Sequence, residues 1–210
     1  MAAFLLALLV GFTFHEFSHA LSANGLGDRT AKRAGRLSLN PLAHLDPLGT
    51  AMIIFAGFGW AKPVPVNASY MRVGPRTGMA LVAAAGPLAN IFMATAAAMP
   101  INLSLVGQDG LSLTFSGQIG DLAGFFLLSV VYWNLLLAAF NLIPLVPLDG
   151  FNVAVGILPR EAANWFAQLE RFGPAPLVLL VMLGFLLPGP DLFSAVIHPM
   201  IGAMASIILP

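Results

Sequence analysis

Phe14-His15-Glu16-Phe17-Ser18-His19, set inside the apolar run from Met1 to Ala23, decides how the chain is read. On a helix, residues four apart share a face, so His15 and His19 can both turn an imidazole nitrogen toward one ion. A zinc ion held by two such histidines takes a third protein ligand and keeps one position open for a water whose pKa it lowers. Glu16, next in sequence, can take that water's proton, which is the metalloprotease use of the H-E-x-x-H spacing. The competing reading is a chance polar patch for helix packing, which would not require this spacing. The solvent argues for the metal. Two histidines and a glutamate are costly to bury in a lipid-spanning helix, and ionisable groups at that depth point to function by default.

Composition sets that solvent. Of the 210 residues, 59% are hydrophobic and 9% charged, with a mean hydropathy of +0.89. A soluble domain has about a quarter of its residues charged. The chain therefore reads as an all-α integral membrane protein, a multi-span helical bundle in the lipid bilayer of a cell membrane. Its net charge is zero and it has no long basic run, so no nucleic-acid partner is expected. The absence of cysteine rules out disulfides and thiolate ligands and confines any metal site to His, Asp and Glu. Residues 1–23 lack the basic start of a signal peptide and read as a retained helix.

Working outward from the motif, the apolar pattern predicts spans over about residues 2–23, 77–99, 121–144, 174–187 and 191–209, all within one membrane-embedded domain covering 1–210. Arg29, Lys32, Arg33, Arg36, Lys62, Arg72 and Arg76 are seven of the nine basic residues, and all lie between the first two spans. The positive-inside rule makes that side cytoplasmic, with the N-terminus outside and the H-E-x-x-H motif toward the cytosol. Between those spans, residues 37–70 read as a short re-entrant or interfacial segment with β-like pieces such as Pro63 to Val66. Leu48 to Trp60 is apolar but too short to span, and Pro41, Pro47, Pro63 and Pro65 bracket it. Ile101 to Gly120 has no Lys or Arg and reads as an external loop. A short helix over 151–158, an amphipathic interfacial helix over 160–172 and a closing hairpin around Pro188-Gly189-Pro190 complete the chain.

The third ligand is sought among the carboxylates. Asp28, Asp46, Asp109, Asp121, Glu161, Glu170 and Asp191 each lie in or near a loop or at a span end. Asp149 alone follows a membrane helix into the cytosolic layer, on the irregular stretch Pro144-Leu145-Val146-Pro147-Leu148-Asp149-Gly150. Its competing role is to cap the helix that begins at Phe151. Asn90, in the small-residue stretch Ala83 to Ala89 of the second span, is either a polar helix-to-helix bond or a group lining the active-site cavity. The Gly86-Pro87 step should loosen the backbone there. The third span carries Asn134 and Asn141. His44 could gate water or touch the metal, but a loop histidine satisfied by backbone is the favoured reading, and His198 is read as structural. Trp60, Trp133 and Trp165 are assigned to interfaces or packing.

These residues resemble the site-2 protease family of intramembrane zinc metalloproteases. His15-Glu16-Phe17-Ser18-His19 matches its first motif, and Gly86-Pro87-Leu88-Ala89-Asn90 resembles the middle one. Asn141-Leu142-Ile143-Pro144 leading to Pro147-Leu148-Asp149-Gly150 resembles the third. Ser38-Leu39-Asn40-Pro41, His44 to Thr50 and Phe58 to Asn67 are similar to the compact prokaryotic branch without PDZ or CBS domains. The likeness covers about Gly11 to Gly156. Many members carry a membrane segment before the motif helix, which is not seen here. The resemblance implies one Zn2+ held by His15, His19 and Asp149, Glu16 as catalytic base, and Asn90 and Asn141 beside the cavity, binding substrate or supporting the transition state. The implied activity is hydrolysis of transmembrane protein substrates, that is, regulated intramembrane proteolysis. The alternatives are a non-proteolytic zinc-binding membrane scaffold, against which Glu16 argues, and a metal transporter, which would show repeated halves and a polar path across the membrane.

Overall fold

A computed structural model describes residues 2–56, 61–106, 119–186 and 192–209. Trp60, most of the expected external loop and the Pro188-Gly189-Pro190 turn lie outside these residues. In chain order the helices are α1 (Ala2–Leu26), α2 (Thr30–Arg33), α3 (Pro47–Ala56), α4 (Pro75–Asn102), α5 (Ile119–Asn141), α6 (Asp149–Ile157), α7 (Arg160–Ala167), α8 (Ala175–Leu186) and α9 (Leu192–Ile208). Among the described residues there is no strand, and α1, α4 and α5 contain stretches long and apolar enough to cross a membrane.

Helix α4 is the centre of the bundle and packs against α1, α5 and α6. Its sequence explains why. Ala83, Gly86, Asn90, Ala94, Ala97 and Ile101 recur every three or four residues and are all buried. The large residues Leu88, Phe92 and Met99 point outward, each more than half exposed. Small inside and large outside is the pattern of a helix whose surroundings are lipid, because close backbone approach rather than apolar burial drives association there. The α4 stripe meets Ala7 of α1, Val130, Val131, Leu135 and Ala139 of α5, and Ile197 and Ile201 of α9 in one core.

The segment between the first two spans is helical where it is ordered into an element. Pro41–Ala43 and Ala68–Tyr70 form single 3-10 turns, and α3 carries Leu48 and Phe55 outward. The β-like character expected there amounts to one isolated antiparallel bridge between Leu45 and Ala61. Buried Arg36 closes the base of this segment, donating to the carbonyls of Ala43, Lys62 and Pro63. His44 is buried beside it with Nε2 2.7 Å from the Ser38 carbonyl, so it is a loop histidine held by backbone on that side.

Two boundaries differ from the sequence expectation in ways that matter. Helix α5 ends at Asn141 rather than 144, and α6 begins at Asp149 rather than 151. Pro144 and Pro147 therefore sit in a tight non-helical link, which is where residues lacking an N–H belong. Toward the C-terminus, Arg160–Phe172 meets Ala175–Leu183 at a 77° bend. Phe166 of α7 stacks on Phe151 of α6 at 5.2 Å, while Trp165 faces out. Helix α8 has 12 residues and α9 has 17, each shorter than the roughly 20 needed to cross upright.

Candidate metal centre

Three short pieces of chain meet at one point. Helix α1 contributes His15 and His19, one turn apart, with their rings edge to face at 4.6 Å between centroids. The proline link turns the chain at the end of α5 and delivers Asp149 as the first residue of α6. The Asp149 Oδ2 atom lies 3.1 Å from His15 Nε2 and 3.3 Å from His19 Nε2. The ligand atoms all fall within 4.8 Å of one another, and among the described residues no other group of three His, Cys, Asp or Glu side chains is placed to hold a metal ion.

Glycines permit this approach. A Cβ on Gly86 of α4 would stand 2.5 Å from His19 Nε2 and 2.6 Å from His15 Cε1, so both rings pack directly on the α4 backbone. A Cβ on Gly150 would stand 2.2 Å from the Leu142 carbonyl oxygen, so α6 can start where it does only with glycine there. The N-cap of α6 is Leu148, which makes no side-chain capping bond, so Asp149 does not serve as the cap. Its carboxylate instead gains from the positive end of the helix.

The outer nitrogens fix the chemistry of the inner ones. His19 Nδ1 is 2.7 Å from the Val82 carbonyl, which can only accept, so Nδ1 carries a proton and Nε2 is the nitrogen left for a metal. His15 Nδ1 is 2.7 Å from Asn90 Oδ1. Asn90 Nδ2 donates to the Gly11 carbonyl at 3.2 Å and to Asn134 Oδ1 at 2.9 Å, and Asn134 Nδ2 donates to the Val130 carbonyl at 2.9 Å. The run of bonds ends on a backbone carbonyl, so its direction is set, and His15 Nδ1 must donate. Both Nε2 atoms thus turn toward Asp149 Oδ2, as an ion pair when a ring is protonated and as metal ligands when it is neutral. Three ligand atoms converging on one point fit a cation, and two imidazoles with one carboxylate match the ligand preferences of zinc.

Of the other residues marked in the sequence, Glu16 is half-buried and makes no hydrogen bond among the described residues. Asn90 is fully buried behind His15, with its polar atoms engaged inside the protein. Asn141 Nδ2 donates to Leu137 in its own helix. Neither His44 nor His198 joins the triad. Sequence reasoning did not assign Asn134, the Val82 carbonyl or the clearance at Gly86. The visible signal was a second asparagine in mid-span, which in lipid must find a partner. Asp28, set aside as a loop carboxylate, is fully buried, accepting from the Thr30 N–H and hydroxyl and from the Asn67 N–H.

Among known proteins, the chain is 38% identical over 213 residues to the Bacillus subtilis (strain 168) protein named "Putative zinc metalloprotease YwhC", covering 96% of this chain and 95% of that protein. It is 29% identical over 181 residues to the Mycolicibacterium smegmatis protein named "Putative zinc metalloprotease Rip2", covering 83% of this chain and 64% of that one. The Rip2 of Mycobacterium tuberculosis (strain H37Rv) is 30% identical over 186 residues, covering 86% and 65% respectively. No family model and no solved structure matches the chain.

Proposed function

The chain belongs to the site-2 protease family of zinc metalloproteases, and from that premise we propose that it is an endopeptidase cleaving transmembrane segments of other membrane proteins within the bilayer, in regulated intramembrane proteolysis. His15, His19 and Asp149 hold one Zn2+, and Glu16 is the general base. The N-terminus lies outside and the site opens toward the cytoplasm. The observation that carries this reading is the convergence of two imidazole nitrogens and a carboxylate oxygen beside a half-buried glutamate, in a bundle of lipid-spanning helices.

Zinc supplies a Lewis acid for the scissile carbonyl and an acidified water as nucleophile. Glu16 would accept a proton on a carboxylate oxygen and return it to the departing amide nitrogen. Burial of His15 and His19 keeps bulk water away from their Nε2 atoms. A helical substrate has its backbone groups paired internally and must unwind before it can react. The segment from Pro63 to Val66 receives the unwound strand by β-addition. Val64 and Val66 make no backbone hydrogen bond among the described residues, which supports this reading.

The test uses purified protein in vesicles with a single-span substrate. Wild type cleaves it. Glu16→Gln keeps about one zinc per chain and loses on the order of 10²- to 10⁴-fold in rate, the usual share of a general base. A wild type that binds zinc without cleaving refutes the enzyme in favour of a scaffold. Zinc crossing the vesicle wall equally in both forms indicates a transporter.

A further inference from the structure

The two histidines stand on a long span, but the third arm of the triad hangs from α6, a helix of nine residues. One side chain from another helix holds the far end of α6. Arg76, in the first turn of α4, donates from Nε to the Val155 carbonyl at 2.7 Å, and from Nη2 to the carbonyls of Gly156, at 3.3 Å, and Leu158. Carbonyls at the end of a helix have no amide partner within it, and a cation there also meets the negative end of the helix dipole. One turn along α4, Ala80 touches the same place, since a Cβ on Gly156 would stand 2.2 Å from Ala80 Cβ. Farther along, α4 supplies the Val82 carbonyl and Asn90 to the histidines. A single helix thus sets both halves of the triad, the imidazoles at its middle and the carboxylate through its start.

We propose that Arg76 is a positioning residue for the metal ligand Asp149: by pinning the C-terminal carbonyls of α6 to α4, it sets where Asp149 meets His15 and His19. The proposal rests on the reading of Asp149 as a zinc ligand. Arg76 touches neither the metal position nor the reacting atoms, and its effect passes through the α6 backbone.

The experiment is a double-mutant cycle on zinc affinity, measured by chelator competition on the solubilised full chain. Arg76→Met keeps the aliphatic stem and removes the donors. It should weaken zinc about 10- to 100-fold, the range for groups that orient ligands. In the Asp149→Ala background the same change should have an effect below about twofold, because the ligand it positions is gone. Arg76→Lys, which retains a cation with one donor group, should recover part of the loss. Gly156→Ala, which forces α6 off α4 while leaving the Arg76 side chain itself unchanged, should reproduce it. An unchanged affinity in Arg76→Met, or an equal loss in both backgrounds, overturns the proposal. Should Arg76→Met not fold, Arg76→Lys is carried through the same cycle and read by the same rule. If Asp149→Ala alone leaves zinc affinity intact, the assignment of Asp149 as a ligand fails, and that outcome is separate from a failure of Arg76.

Discussion

His15 Nε2 and Asp149 Oδ2 face each other at 3.1 Å, and the bond from His15 Nδ1 to Asn90 turns Nε2 toward the carboxylate. A metal held by groups that meet only in the folded chain binds that state alone, so metal binding should be felt as folding stability. With free zinc at a hundred times its dissociation constant the gain is about 2.7 kcal/mol. At about 2–4 °C per kcal/mol this is a rise of roughly 5–10 °C in Tm. Thermal scans of the solubilised protein with zinc and with chelator should show this rise in wild type and none in Asp149→Ala.

Asn134 should matter to zinc although it touches neither histidine. Asn134→Leu removes the acceptor for Asn90 Nδ2, leaving the Gly11 carbonyl as its partner and freeing the amide to turn. His15 would then sample the tautomer with its proton on Nε2, which cannot bind metal. Zinc affinity should fall about 10- to 100-fold. Nitrogen NMR of labelled histidine in the apo protein should show mixed tautomers at His15 and an unchanged His19, whose Nδ1 is held by the Val82 carbonyl.

Gly86→Ala separates helix stability from site integrity. In a helix interior alanine is favoured over glycine by about 1 kcal/mol. Here the new methyl would stand 2.5 Å from His19 Nε2 and 2.6 Å from His15 Cε1. The rings must move and the triad open. Metal analysis should find little zinc in Gly86→Ala while circular dichroism shows helix content retained.

The sequence carried the bundle because lipid leaves few options: apolar length gives helices able to span it. It carried the triad because H-E-x-x-H is a helical spacing and Asp149 stood alone among carboxylates on a proline-shaped link. What it could not carry were distances across helices. Nothing in the chain says that Asn134 lies against Asn90, or that Arg76 reaches the end of α6, since those meetings depend on crossing geometry rather than local pattern. The start of α6 was placed two residues late, because the clearance at Gly150 that lets the helix begin at Asp149 is a contact with Leu142, invisible along the chain.

Asp28 ties the end of α1 to the segment before α4 and should make the fold acid-sensitive. Burial raises its pKa, but hydrogen bonds from the Thr30 side chain and from the Asn67 and Thr30 amides, aided by Arg33, outweigh that and hold it below the usual carboxylate range. A depressed carboxylate stabilises the fold above its unfolded pKa, about 3.9, and that contribution is lost as pH falls through the folded value. Unfolding midpoints should therefore drop below about pH 4 in wild type. Asp28→Asn should cost about 1–3 kcal/mol at neutral pH and remove its share of the acid sensitivity.

The segment from Pro63 to Val66 offers one edge and closes the other. Pro63 and Pro65 have no N–H, and the Pro63 carbonyl is occupied by Arg36. Val64 and Val66 alternate with them and keep both backbone groups unpaired among the described residues. In an extended chain, alternate residues direct these groups to the same side, so a substrate strand can dock along one edge only. Replacing residues 63–66 with a Gly-rich stretch should remove the pre-set conformation and lower cleavage at least about tenfold, because ordering the segment would then fall on the binding step. Val64→Pro, which deletes a single donor, should have a smaller effect in the same direction. Zinc content should stay at the wild-type level in both, since neither touches the triad, and unchanged turnover in the Gly-rich form would reject strand addition at this edge.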